Sequence, residues 1–426
     1  MNAIKPPIIQ EPGFFQFPDY QDYRLDNGIV VHCIPFNSLD YTNVLLSVKA
    51  GTQCQSKLLQ ASSTSRMLRE GCVGFTSEEL AEELDYYGTS YHAATSALST
   101  EVMISSVSRH LPKMLPLLNS IVFHPTFPER EFGITREIGR QNLIHSMQEV
   151  SFLANRQLKT MMFGEGHIYS KSASPDDYDQ IVLADLVDYH KSYYLPENIE
   201  FFVSGCFSDK EFNALNESFG KLQCTNNAVP DLAEPAPETV ADVRRFCEKE
   251  GCLQNAVSMG CVSIAQQHPD FLKLKLLVSI LGGFFGSRLM SNIREDKGYT
   301  YGIYAQLVAY SNMSTIVISS QTAVEHTDAL IAEVYKEMER LINEPVPEEE
   351  LEMVKSYYSG MYLQQVSKGI DLVSDYRVKA LNKIDAKTYY SQWWNVLHST
   401  TADELLQIAK KYLKPEAFRV SVAGKR

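Results

Sequence analysis

Residues 183–205 read LADLVDYHKSYYLPENIEFFVSG, and residues 402–424 read ADELLQIAKKYLKPEAFRVSVAG. Each stretch is an amphipathic helix, a Tyr-Leu-(x)-Pro-Glu corner and an apolar strand ending in Val-x-Gly. Apolar residues at three- and four-residue spacing specify the helix, and the proline, with fixed φ and no N–H, ends it. The copies lie close to half a chain length apart. Such a period is far beyond the ~20–50 residues of a solenoid repeat, so the chain reads as one domain written twice.

A second pair of matches supports the first. EVMISS (101–106) and TIVISS (315–320) are apolar strands, each downstream of a Gly-x-x-Tyr strand start, at Gly88/Tyr91 and Gly298/Tyr301. Each precedes a strongly periodic helix, with apolar faces Met114, Leu115, Leu118, Ile121, Val122 and Leu330, Ile331, Val334, Met338, Leu341, Ile342. Both helices stop at an acidic proline corner, HPTFPEREF (124–132) and EPVPEEELEM (344–353). Between the copies, TNNAVPDLAEPAPETV (225–240) carries Pro230, Pro235 and Pro237 and reads as an extended, semi-rigid linker. Strand-like runs such as GIVVHCIP (28–35) and NVLLSVKAG (43–51) alternate with helices. The expected fold class is α+β: two homologous domains, residues 1–224 and 243–426, joined by a linker at 225–242. Each is a mainly antiparallel sheet with helices on one face, and the pair forms a clamshell with a central cleft.

Composition narrows the function classes. The 426 residues are 44% apolar and 11% aromatic, enough for a sizeable core, and the net charge of −13 argues against nucleic acid or an anionic membrane as partner. The N-terminal MNAIKPPIIQEPGFF lacks a basic stretch followed by an apolar core. The longest apolar run, roughly Leu274–Phe285, falls short of the ~20 residues that span a bilayer. The expectation is a cytoplasmic chain without membrane insertion. The eight cysteines are scattered with no CxxC pair, and read as free thiols.

One segment breaks local rules. SKLLQASSTSRMLREG (56–71) has helical spacing at Leu58, Leu59, Met67 and Leu68, and Gly71 could stop the helix. Its middle is Ser62, Ser63, Thr64 and Ser65, which compete for backbone hydrogen bonds. Close helix packing explains such small residues, and so does a functional site, since local rules fail most often there. Downstream, Thr76 and Glu79 form a capping box with a Phe75/Leu80 staple.

These stretches resemble the insulinase/pitrilysin family of zinc peptidases, which carry the inverted HxxEH motif. The resemblance rests on RMLREGC (66–72), SEELAEEL (77–84), GTSYHAATS (88–96) and LGGFFGSRLMSNIREDKGYTYGIYA (281–305). It implies that the HxxEH positions fall on Ser62, Ser65 and Arg66, and that the third metal ligand falls within GRQNLIHSM (139–147), at Asn142. None of the four is a zinc ligand or a general base. Catalytic zinc needs three N, S or carboxylate donors and an open water position. A fixed guanidinium about 4 Å from a dication would oppose binding by several kcal/mol. No other histidine pair has i, i+4 spacing, so no metal or cofactor is expected in this chain. His145 reads as a packed or surface residue.

The second copy keeps Arg294 and Tyr301. The resemblance implies that such a pair hydrogen-bonds peptide carbonyls and the oxyanion that develops there. It also implies that an edge strand including His92 and Ala93, where the family often carries Asn before Ala, takes peptide as an added strand. Gly282, Gly283 and Gly286 follow a helix and read as a turn between helices, not a phosphate loop. The expected function is a non-catalytic subunit of a heterodimeric zinc metallopeptidase, inactive alone. It would bind peptide and supply Arg294 and Tyr301 in trans to an HxxEH-bearing partner that holds the zinc. The alternatives are a structural or binding subunit with no role in proteolysis, and an active metallopeptidase with atypical ligands.

Overall fold

The computed structural model describes residues 13, 14, 16–36, 40–225, 227–230, 234–367 and 369–426. Most of the N-terminal stretch read for a leader (1–12), and Asn226 and residues 231–233 of the expected linker, lie outside the described residues. The strands are β1 (Gln21–Arg24), β2 (Val30–Pro35), β3 (Thr42–Val48), β4 (Gly71–Cys72), β5 (Phe75–Thr76), β6 (Ser90–Thr95), β7 (Thr100–Ser106) and β8 (Ile199–Gly205) in the first half. The second half contributes β9 (Arg244–Glu248), β10 (Gln254–Ser263), β11 (Thr300–Ala309), β12 (Ser314–Ala323) and β13 (Arg419–Gly424). The helices of the first half are α1 (Gln60–Met67), α2 (Ser77–Tyr86), α3 (Leu111–Phe123), α4 (Glu129–Ser146), α5 (Val150–Phe163), α6 (Asp177–Gln180), α7 (Leu183–Tyr193) and α8 (Asp209–Phe219). Those of the second are α9 (Phe271–Gly282), α10 (Thr327–Asn343), α11 (Glu348–Ser367), α12 (Gly369–Leu381), α13 (Ala386–Ser399) and α14 (Ala402–Tyr412).

The duplication is visible in the topology. A six-stranded sheet has order β1-β2-β8-β3-β7-β6, and a five-stranded sheet has order β11-β12-β10-β13-β9. The quoted repeats end in β8 and β13, each paired antiparallel to a central strand of its sheet. Thr76 and Glu79 form the expected capping box, and Phe75 packs in one cluster with Leu80. Gly282 closes α9, followed by a turn into a π-helical segment, Met290–Asp296.

Strand periodicity explains how the halves are joined. Successive side chains of a strand point to opposite faces. In β3 and β8, Val44, Leu46, Val48, Phe201 and Val203 pack into the first half's own core with α3 and α8. Leu45 and Phe202, on the other face, join the core built by the second half. Helix α12 covers that face, packing on β8, β3 and β2. The reverse contact is made by α5, which packs on β10 and β13 of the second sheet. Small residues let it approach: Ala154 meets Ala256 and Ala423, and a Cβ on Gly260 would lie 2.9 Å from Met162 Sδ. Ser258 Oγ donates to Asn155 Oδ1 at 2.7 Å and Ser421 Oγ to Gln157 Oε1 at 2.8 Å. Each half therefore lends a helix to the other's sheet, and apolar residues on both faces of the central strands follow.

Buried polar contacts fasten the exchange. Arg377 of α12, 8% exposed, reaches Glu101 Oε2 at 2.7 Å and donates to Ser99 Oγ at 2.9 Å. The linker is strapped to α5. Glu238 and Val240 donate their N–H groups to the Phe163 and Met161 carbonyls, and Pro235 O meets His167 Nε2 at 2.9 Å. Tyr169 also bonds Glu234.

Candidate functional site

The helix expected over 56–71 is shorter. Regular α-structure runs only from Gln60 to Met67, followed by a 3-10 turn Leu68–Glu70. Leu59 sits in the left-handed region at φ 71°, and side-chain amide oxygens take backbone N–H groups on either side of it. Gln60 Oε1 accepts from Ser56 N at 2.9 Å, and Gln55 Oε1 accepts from Ala61 N at 3.2 Å. The Ser/Thr run turns its hydroxyls onto the helix itself. Ser62 Oγ donates to Leu59 O at 3.2 Å, Thr64 Oγ1 to Gln60 O at 2.8 Å and Ser65 Oγ to Ser62 O at 3.0 Å. Ser65, 4% exposed, also accepts from Thr95 Oγ1 of β6 at 2.9 Å. Its one proton is committed to a carbonyl, so it has none of the free basicity of a carboxylate at that position.

Arg66 is exposed and reaches along α4. A Cβ on Gly139 would meet its Nη1 at 2.9 Å and the ring of buried Tyr178 at 2.7 Å, so α4 carries glycine where the guanidinium passes. Asn142, one turn further, is exposed. Among the described residues no three His, Cys, Asp or Glu side chains gather where they could hold a metal ion.

Two backbone irregularities hold the other candidate pair. Arg294 lies in the π-helical segment, and π-turns are rare and frequent at functional sites. Gly298, at φ 66°, turns the chain into β11, a reversal that L side chains adopt only with strain. Thr300 pairs with Thr322 but Ile303 pairs with Ser320, so Tyr301 and Gly302 form a bulge opposite Gln321. The bulge is pinned by Thr300 Oγ1, which donates to Gln321 O at 2.6 Å, and by Ser320 Oγ, which donates to Gly302 O at 2.9 Å. Bulges of this kind re-aim a side chain, and Tyr301 is 92% exposed. Arg294 Nε donates to the Tyr301 carbonyl at 3.1 Å, and its guanidinium lies 4.5 Å from the Phe285 ring centroid and 5.8 Å from that of Tyr301. Phe285 is itself 59% exposed. Residue pattern alone missed its role, though it stands two residues past Gly283 in the quoted motif.

His92 and Ala93 lie on β6, an outer strand of the first sheet. His92 is exposed with Nε2 4.0 Å from Glu101 Oε1, and Ala93 packs on the core. Ser62 lines a cavity of about 620 Å³ together with Arg156 and Thr160 of α5. Tyr301 opens into another pocket, of about 300 Å³, with Ser151 and Asn155 of the same helix. The two candidate half-sites thus border different stretches of α5.

Comparison with known proteins fixes the lineage. A family model described as insulinase (peptidase family M16) matches residues 44–176, and one described as peptidase M16 inactive domain matches residues 180–358. The chain belongs to the insulinase family. It is 22% identical over 352 residues to an uncharacterized zinc protease of Bacillus subtilis, covering 79% of this chain and 82% of that one. It is 21% identical over 305 residues to a non-peptidase homolog of Helicobacter pylori, covering 70% and 68%. The match to the mouse mitochondrial-processing peptidase subunit beta is 24% over 277 residues, 63% and 55% of the two chains. A peptidase M16 inactive domain structure from Pseudomonas fluorescens shares the fold with a TM-score of 0.86 at 21% identity, over 96% of this chain and 98% of that one. A Helicobacter pylori protease structure does so with a TM-score of 0.84 at 18% identity, over 96% and 100%.

This insulinase-family chain lacks the HxxEH motif. Ser62, Ser65, Arg66 and Asn142, the positions the resemblance implied, do not fit a zinc ion: two hydroxyls bonded to carbonyls, an arginine packed along α4 and an exposed asparagine. None is a good donor, and the arginine carries the wrong charge. Among the described residues no helix is long and apolar enough to cross a membrane.

Proposed function

We propose that this chain is the non-catalytic subunit of a two-chain zinc peptidase, which binds extended peptide and presents Arg294 and Tyr301 to the metal of an HxxEH-bearing partner. The reading rests on the split fate of the half-sites. The α1 hydroxyls are spent on helix carbonyls, while Arg294 and Tyr301 sit on a π-turn and a pinned bulge with the tyrosine in the open. Evolution keeps such irregular, costly backbone only where something over-determines it. A guanidinium and a phenol are both donors at neutral pH, suited to carbonyl oxygens of a bound peptide and to a developing oxyanion. The edge strand β6, carrying His92 and Ala93, would take the peptide as an additional strand. The "inactive domain" and "non-peptidase" descriptions of its relatives agree with a non-catalytic role. A peptidase-subunit relative agrees with a partner. We assign the domains to 1–224 and 243–426, and a reducing, cytoplasmic setting that suits eight free cysteines.

The likeness to a non-peptidase homolog favours a second reading, a structural or binding subunit without a role in proteolysis. Purifying the chain alone and with a candidate HxxEH partner, then measuring zinc content and peptide cleavage, tests the first reading. It predicts turnover and about one zinc per complex only in the mixture. Stoichiometric zinc and activity in the isolated chain would sink it.

A further inference from the structure

The cavity beside Ser62 has a charge that the rest of the chain does not prepare one for. Its walls carry Lys57 from the turn before α1, Arg156 from α5 and Lys171 from the loop that follows. The carboxylates nearby are Glu165, in the wall, and Asp185, which pairs with Lys57 at 2.8 Å. Three cations against two carboxylates leave the cavity positive in a chain of net charge −13. Among the described residues no carboxylate lies within ion-pair distance of Arg156 or Lys171, and half-buried Arg156 only reaches Ser172 O at 3.5 Å. A partly buried guanidinium without a counter-ion favours an anion beside it. Of the lining hydroxyls of Thr52, Ser56, Thr160 and Ser170, the last three already donate to Gln60 Oε1, Arg156 O and His167 O, which leaves that of Thr52 to add a donor.

The cavity is also wired to the peptide-accepting edge. Thr52 N donates to Ser96 O at 2.9 Å and Gln53 N to Ala97 O at 3.0 Å, directly after β6 ends at Thr95. Gly51 permits this approach, since a Cβ there would lie 2.4 Å from Ala97 O. A chain added along β6 would therefore run toward the Thr52 wall. A volume of about 620 Å³ greatly exceeds that of a lone phosphate, and a surplus of a single positive charge matches a monoanion.

We propose that the cavity beside the erased zinc motif is a carboxylate-binding subsite, which selects peptides presenting an acidic side chain or a free C-terminus there. The inference rests on the peptide-binding reading above and adds the substrate class. Its test uses the full chain and fluorescein-labelled hexapeptides in four forms: one Glu or the matching Gln, each with a free or amidated C-terminus. Fluorescence anisotropy at low and high salt reads the affinities. The charged forms are expected to bind at least about tenfold tighter than the neutral ones at low salt, less so at high salt. Whether the Glu or the free C-terminus carries the gain identifies the source of the carboxylate. Arg156→Gln and, separately, the exposed Lys171→Gln should erase most of that preference, with thermal melts confirming folded protein. Equal affinity for all four peptides, no peptide binding at all, or an unchanged preference in both variants overturns the proposal. Equal affinity for all four peptides strikes the carboxylate subsite alone, whereas the absence of any peptide binding strikes the peptide-binding reading as well.

Discussion

Replacing Arg377 by alanine should loosen the helix exchange that ties the two halves together. The guanidinium is 8% exposed, bonded to Glu101 at 2.7 Å and to Ser99 at 2.9 Å, and it comes from α12 while its acceptors lie on or beside β7 of the other half. Burial pulls its pKa below the ordinary arginine value and the Glu101 carboxylate opposes that pull, so the charge is held in place by its partner. Removing one member of a buried pair costs about 3–5 kcal/mol, chiefly because the other charge is left unpaired. Glu101 keeps 22% side-chain exposure and has His92 within 4.0 Å, which places the loss at the low end, about 3 kcal/mol. With two interlocked cores the chain need not unfold in one step, so native-state hydrogen exchange is the suitable assay. Protection should fall at Leu45 and at Phe201–Val203 under α12, more than at Val257–Met259. In a cycle with Glu101→Ala, the double variant should cost less than the singles combined by about 2 kcal/mol. Strict additivity, or unchanged protection in the Arg377→Ala chain, would refute the claim that this pair fastens the exchange.

Gly51→Ala should destabilise by about 2 kcal/mol, read as a lower urea midpoint, because its Cβ would meet the Ala97 carbonyl oxygen at 2.4 Å and backbone must move. His190 is half-buried with Nε2 2.7 Å from Val122 O, and desolvation lowers its pKa from an ordinary value near 6.5. The unfolded chain then binds a proton that the native one refuses, so stability should fall as pH drops below about 6.5, and His190→Gln should flatten that slope in denaturation curves from pH 7 to 5. Thiol labelling of the native protein should modify exposed Cys224 fast and leave Cys33 and Cys261 untouched, since burial pushes both thiols up to about 12.

The duplication, the strand–helix order and the capping box at Thr76 are local patterns, and the sequence displays them directly. The helix exchange is not legible there. Leu45 and Phe202 read as ordinary strand residues, and only the three-dimensional partner, α12, reveals that the second face is covered. Gly260, Ser258 and Ala256 on alternate positions were the available clue, a strip of small residues that a helix could approach. Helix α1 is shorter than its spacing predicts because Leu58 and Leu59 fit the helical period while the Gln55 and Gln60 side chains stabilise a turn there. That the chain contains no HxxEH stretch is read directly from residue identity. The bulge that exposes Tyr301, and the stacking of Arg294 on Phe285, depend on pairing register and rotamers that no spacing rule encodes.

The most direct measurement of the central claim is the turnover of the reconstituted two-chain complex carrying Arg294→Ala in this subunit. If the guanidinium and Tyr301 act on peptide held at the partner's metal, kcat/KM should fall by about a hundredfold while zinc content and complex formation stay unchanged. Tyr301→Phe should lower it by a smaller factor. Unchanged turnover in both variants, in a complex that still assembles, would contradict the account and leave this chain a binding or structural subunit.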